Sequence, residues 1–197
     1  MSYLILLLSL GNPAPLRNSL HSAGHHALDS LQRVITPHQP PFSLQIYGRK
    51  ACQVSVGVKY ILAQSPMLMN VSGPWVNRTR MDVMAKLRLK ADELAVVVVH
   101  DDLEEELGHV RMRDWDASAR GHNGVKSVLG TIRPEDSPQH GARISIGIGR
   151  PEERDKNSVA HYVLKDMTQG QRTALENTGS KVLDCLLSLE EKWERGA

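Results

Sequence analysis

The stretch Leu94-Ala95-Val96-Val97-Val98-Val99, followed at once by His100-Asp101-Asp102, decides how this chain is read. An unbroken apolar run has no wet face, so it reads as a strand covered on both sides, as in a parallel sheet between helices. The change to His-Asp-Asp predicts that the strand stops at Val99 and meets polar chemistry at its carboxyl end. Residues 3–10 repeat the pattern: Leu4-Ile5-Leu6-Leu7-Leu8 is apolar throughout, and Gly11-Asn12-Pro13 ends it abruptly. That run is far shorter than the roughly 20 residues a membrane span needs. It also lacks a basic leader and a small-residue cleavage site, so a soluble, cytoplasmic protein without membrane partners is expected.

Between and after these runs the periodicity alternates. Ala23, Ala27, Leu31 and Val34 recur every three or four residues, which predicts a helix over 20–35, broken by the proline-rich stretch 36–41. Strands are expected over 43–47, 52–59 and 60–63, a helix over 72–90, and a short basic strand over 110–113. A helix over 124–132, a strand over 142–148 and helices over 158–164 and 169–193 complete the chain. No repeat or linker interrupts it. Residues 1–197 are therefore expected to form one domain, an α/β globule of three layers. Its central sheet should be mixed but mostly parallel, flanked by helices, with antiparallel strands at an edge.

Charge and cysteine content narrow the function. Cys52 and Cys185 have no paired spacing, which argues against a disulfide framework and a cysteine zinc site. The formal net charge of +2 does not by itself announce nucleic acid, because capture depends on local clustering. Clusters do exist. Arg78, Arg80, Lys86, Arg88 and Lys90 crowd one expected helix, ordinarily a solvated face, while Arg111, Arg113, Arg120 and Lys126 surround a glycine-containing loop, where they could hold phosphates. Trp115 in that loop is a base-stacking candidate or a buried residue.

In open α/β sheets ligands bind beyond the carboxyl ends of the strands, so Asn12 and the His100-Asp101-Asp102 group are candidates for one site, with Asn70 joining them. His21 begins the first helix. A histidine there is ordinarily a surface residue, but chain order places this one beside Asn12 and toward Asp101. A neutral imidazole held by a carboxylate can deprotonate water near neutral pH. Asn70 and Asn123 read equally well as a helix cap and a turn residue. Read as ligands, their amides suit a peptide backbone or a ribose hydroxyl. The acids and histidines match no metal spacing, and a paired-carboxylate glycosidase would need a separation that sequence does not supply.

In order, Leu10-Gly11-Asn12-Pro13, His21 with Gly24, Met69-Asn70-Val71-Ser72-Gly73, His100-Asp101-Asp102-Leu103, Gly121-His122-Asn123-Gly124 with Lys126-Ser127, and Arg143 through Pro151 resemble the peptidyl-tRNA hydrolase family, over about residues 4–166. The resemblance implies hydrolysis of the ester joining a peptide to the terminal ribose of tRNA. It implies His21 as base, Asp101 as its orienting carboxylate, and Asn12, Asn70 and Asn123 as substrate-positioning amides. Arg111, Arg113, Arg120, Lys126 and Arg143 become candidate tRNA contacts. It implies no cofactor, peptidyl-tRNA as partner, and a monomer. Three positions depart from the family pattern: its tyrosine before the histidine is absent, Ser22 replaces an asparagine, and Arg120 stands where a glycine is usual. These departures look eukaryotic, even fungal, which leaves mitochondrial action open. The rival readings are an RNA-binding scaffold of the same fold, disfavoured by the joint presence of His21, Asp101 and Asn123, and a zinc peptidase, disfavoured by the missing ligand spacing.

Overall fold

The two apolar runs lie side by side in the middle of a seven-stranded sheet. In the computed structural model, which describes residues 3–153 and 155–196, they form β1 (Leu4–Ser9) and β5 (Leu94–Asp102), paired parallel from Leu4↔Leu94 to Ser9↔Val99. The remaining strands are β2 (Ser43–Tyr47), β3 (Lys50–Val56), β4 (Tyr60–Gln64), β6 (Val110–Asp114) and β7 (His140–Gly147). Their order is β2-β3-β4-β1-β5-β7-β6, with β4, β1, β5 and β7 parallel. β3 and β6 run antiparallel to their neighbours, so the parallel centre carries antiparallel edges as expected.

The central strands need no polar face because both faces are covered. Ile5 and Leu7 of β1, with Ala95, Val97 and Val99 of β5, pack into one core beneath α1 (Ala23–Val34) and α6 (Gly179–Arg195). α4 (Lys156–Leu164) and α5 (Gln169–Glu176) add Val163 and Leu175 to that core. Leu6, Leu8, Val96 and Val98 face the other way, against α2 (Ser72–Leu87) and α3 (Asn123–Thr131). Leu6, Leu7 and Leu8 are fully buried, and each such side chain is worth about 1.5–3 kcal/mol of burial.

Three boundaries differ from expectation, each for a tertiary reason. β5 does not stop at Val99. Pairing with β7 continues through His100↔Ser145, Asp101↔Ile146 and Asp102↔Gly147, so the polar triplet is the buried end of the strand. The helix expected from Leu20 begins at Ala23, preceded by a 3-10 turn over Leu20–Ser22. The long terminal helix is cut in two between Glu176 and Gly179, where α1 passes: Gly179 N–H donates to Ser30 Oγ at 2.9 Å, and Ser30 Oγ donates to Glu176 O at 2.5 Å.

Candidate active site

The carboxyl ends of β1 and β5, the turn before α2 and the loop before α3 enclose a cleft of about 760 Å³. That volume suits a ligand the size of a nucleoside with an attached residue. Asn12, His21, Asn70, Asp101, Asn123, Arg113, Arg120 and Lys126 all line it. They come from segments around residues 12–21, 70, 101 and 113–126, and the sheet brings them together.

His21 sits on the 3-10 turn that carries the chain from β1 into α1. The first turn of α1 lies almost on the strand ends: a Cβ on Gly24 would come within 2.6 Å of Leu10 O and 2.7 Å of Val99 O, so only glycine allows this approach. Ser22 locks the entry, accepting from Asn12 N–H at 3.0 Å and donating to Leu16 O at 3.1 Å. The Ser22 departure is thus a loop staple rather than a substrate group. The result is that His21 Nδ1 lies 2.9 Å from both Asp101 oxygens.

Asp101 is only 2% exposed and serves two rings. Its Oδ1 also accepts from His122 Nε2 at 2.8 Å. The tautomer of His122 is fixed by its other nitrogen: His122 is the N-cap of α3, and its Nδ1 accepts from Val125 N–H at 3.1 Å. The proton of that neutral ring is therefore on Nε2, where it is donated to Asp101. Burial alone would raise the Asp101 pKa, but the neighbouring His21 and His122 rings and the two hydrogen bonds they donate hold it well below the usual carboxylate range. For His21 burial disfavours the charged ring, yet Asp101's charge and hydrogen bond outweigh it and leave the pKa raised. An ionised Asp101 keeps the His21 proton on Nδ1 and its lone pair on Nε2.

The ligand atoms of His21, Asp101 and His122 lie within 4.8 Å of one another, close enough for a metal ion to be considered. The hydrogen-bond pattern argues against one. Both rings present N–H, not a lone pair, to the shared carboxylate, and the remaining nitrogen of His122 is used in capping.

The asparagines divide into two kinds. Asn12 is buried, and its Oδ1 accepts from Met69 N–H at 3.1 Å, which ties the end of β1 to the turn before α2. Asn70 and Asn123 are exposed and are not caps: the N-cap of α2 is Val71 and that of α3 is His122. No side-chain hydrogen bond engages either amide among the described residues.

The basic candidates also separate. Arg113 Nη2 donates to Asp102 Oδ2 at 3.0 Å, and Arg111 Nη1 donates to Glu105 Oε1 at 3.1 Å. Arg111 points to Glu105 rather than lining the cleft. Lys126, on the first turns of α3, is exposed at the rim. Arg143 also lines the cleft. It is 1% exposed because β7 is an interior strand, and its guanidinium donates to the carbonyls of Trp115 and Ala117. Through those carbonyls it supports the loop before α3. Trp115 is buried in the α2/α3 core and offers no stacking face.

Sequence reading missed His122. Its signal was present, a third imidazole inside the Gly-His-Asn-Gly block, but nothing local says that it reaches Asp101. His100 is likewise buried, donating Nδ1–H to its neighbour's carbonyl, Asp101 O, at 2.7 Å, and burial depresses its pKa to about 3.

The fold and this arrangement define a hydrolytic enzyme of the open α/β class, with a carboxylate-oriented histidine beyond the strand ends. Comparison with known proteins agrees. The family model described as Peptidyl-tRNA hydrolase matches residues 6–195. Peptidyl-tRNA hydrolase of Pelagibacter ubique is 31% identical over 194 residues, covering 96% of this chain and 94% of that one. The enzyme of Carboxydothermus hydrogenoformans is 33% identical over 179 residues, with 89% and 86% covered. The crystal structure of peptidyl-tRNA hydrolase from Acinetobacter baumannii superposes with a TM-score of 0.71 at 20% identity, covering all of this chain and 93% of that one, a match of fold. The chain belongs to the peptidyl-tRNA hydrolase family. Among the described residues no helix is long and apolar enough to cross a membrane.

Proposed function

We propose that this chain hydrolyses the ester between a peptide, or an N-blocked aminoacyl group, and the terminal ribose of tRNA, with His21 as general base. One observation carries the reading: His21 is held through Nδ1 by the buried, ionised Asp101, and it lines a cleft that three asparagine amides also line. Water gives a proton to His21 Nε2 and the hydroxide attacks the ester carbonyl. The tetrahedral intermediate then expels the ribose oxygen, which takes the proton back from the imidazolium. Asp101 stabilises the imidazolium, and His122 holds Asp101 on the other side. The amides of Asn12, Asn70 and Asn123 supply donors and acceptors for the water, the peptide and the developing negative oxygen. Lys126 at the rim and the arginines near the loop attract the acidic tRNA end. The mechanism uses no cofactor. The protein acts as a monomer in the cytoplasm.

The test is incubation of purified protein with a labelled N-blocked aminoacyl-tRNA, with free tRNA as readout. The wild type should release it, and His21→Ala should lose roughly two to four orders of magnitude in turnover while still binding tRNA. No release by the wild type under any condition would favour a scaffold, and near-normal turnover by a folded His21→Ala protein would remove the base.

A further inference from the structure

Arg120 stands at a backbone position made for glycine. Its φ is +44°, in the left-handed region that costs a side-chain-bearing residue energy, and Gly121 follows at φ +86°. Its side chain lies in the catalytic cleft. Asp102 and Glu105, the carboxylates facing it, are faced in turn by the three guanidinium groups of Arg111, Arg113 and Arg120. Arg111 and Arg113 satisfy them with direct hydrogen bonds. Arg120 Nη1 stays 3.8 Å from both, too far for one, and its guanidinium makes no hydrogen bond to any described residue. The cluster thus holds one positive charge more than it needs, on the residue 40% open to the cleft. Elsewhere in the lining α4 presents apolar Val159, Ala160, Val163 and Leu164, which suit the peptide, with Lys156 at its start and Arg150 just after β7, while Arg113, Arg120 and Lys126 flank the loop before α3.

We propose that Arg120 is a specificity-determining residue that binds the phosphodiester on the 5′ side of the terminal nucleoside of tRNA, seating the reacting ribose beneath His21. This rests on the tRNA-ester reading above. His122, two residues further on, touches Asp101, so a guanidinium anchored here is fixed relative to the base. A guanidinium presents paired donors that match a phosphate's oxygens. The substrate peptide carries no terminal carboxylate to compete, because that group is esterified.

The deciding variant is Arg120→Gly, which suits the backbone and should melt at the wild-type temperature or above it. With N-acetyl-aminoacyl-tRNA its KM should rise about tenfold or more, the worth of a charge-assisted contact, with kcat within about twofold. The salt dependence of binding should weaken by somewhat less than one phosphate's contribution. With an N-acetyl-aminoacyl ester of adenosine, which has no phosphate, kcat/KM should not change. A binding titration with the trinucleotide CpCpA, which needs no turnover, should show the same loss while adenosine binds both proteins equally. An unchanged KM and salt slope, or an equal loss on the phosphate-free ester, overturns the assignment. Should the wild type hydrolyse neither ester, the tRNA-ester reading fails, and the trinucleotide titration still decides whether Arg120 holds phosphate.

Discussion

Replacing Asp101 by asparagine should move the pH profile and lower its ceiling by amounts the geometry dictates. The new amide cannot choose its orientation freely. His122 must donate through Nε2, because its Nδ1 is occupied by Val125 N–H, so the amide oxygen takes the Oδ1 position and the NH₂ group takes Oδ2. His21 Nδ1, 2.9 Å from both positions, then faces an acceptor and a donor together. Part of the population adopts the tautomer with its proton on Nε2, which is no base. The charge is also lost. A unit pair at about 4 Å and an effective dielectric near 20 is worth on the order of 4 kcal/mol. If half of that stabilises the imidazolium formed as water is deprotonated, the plateau rate falls roughly thirty-fold. This is a smaller loss than for His21→Ala. The sign of the pH effect follows from His21 itself. Its pKa is raised although burial opposes the charge, because Asp101 outweighs burial. The wild-type rate should therefore climb with pH through a limb lying above the ordinary histidine value near 6.5. Without the carboxylate only burial remains, and the Asp101→Asn limb should lie below 6.5, so the deficit is smallest in mild acid. Measuring kcat against pH from 5 to 9 for both proteins decides it; a limb that stays in place would refute Asp101 as the group that sets the base.

Two further outcomes are expected. Asn70→Asp and Asn123→Asp should each cut turnover at least about tenfold with melting temperature nearly unchanged, since neither amide caps a helix or bonds within the chain; loss of stability with activity intact would return them to a structural role. Stability should fall on acidification between about pH 6.5 and 3, because buried His25 and His100 are both depressed to about 3, so these two rings alone take up two more protons in the unfolded chain in that window. The slope is about 2.7 kcal/mol per pH unit where both differ fully, at 1.36 kcal/mol per proton. His21, raised instead, contributes with the opposite sign only above 6.5, and the depressed Asp101 adds its loss only below about 3.8. Urea unfolding at pH 7, 5.5 and 4.5 reads the slope, and a flat profile would contradict the burial of those two rings.

The sequence by itself determined the sheet's buried centre and the identity of the family. Unbroken apolar runs such as residues 4–8 and 94–99 have only one stable environment, covered on both faces, and six short blocks in a fixed order are specific together although each is common alone. It also pointed to His21, Asp101 and the three asparagines, because chemistry in such sheets gathers where strands end. What it could not determine is what each polar atom is spent on. Whether an asparagine caps a helix, whether Arg143 meets solvent, and which third group shares Asp101 depend on partners tens of residues away. Strand pairing settled the last two: lying inside the sheet, β7 turned Arg143 under the loop, and by carrying β5 past Val99 it buried Asp101 where the loop before α3 delivers His122. Local sequence specifies which elements form because backbone preference and burial pattern are local quantities. The allocation of hydrogen bonds and charge at the site is decided between elements, and exists only once the sheet has assembled.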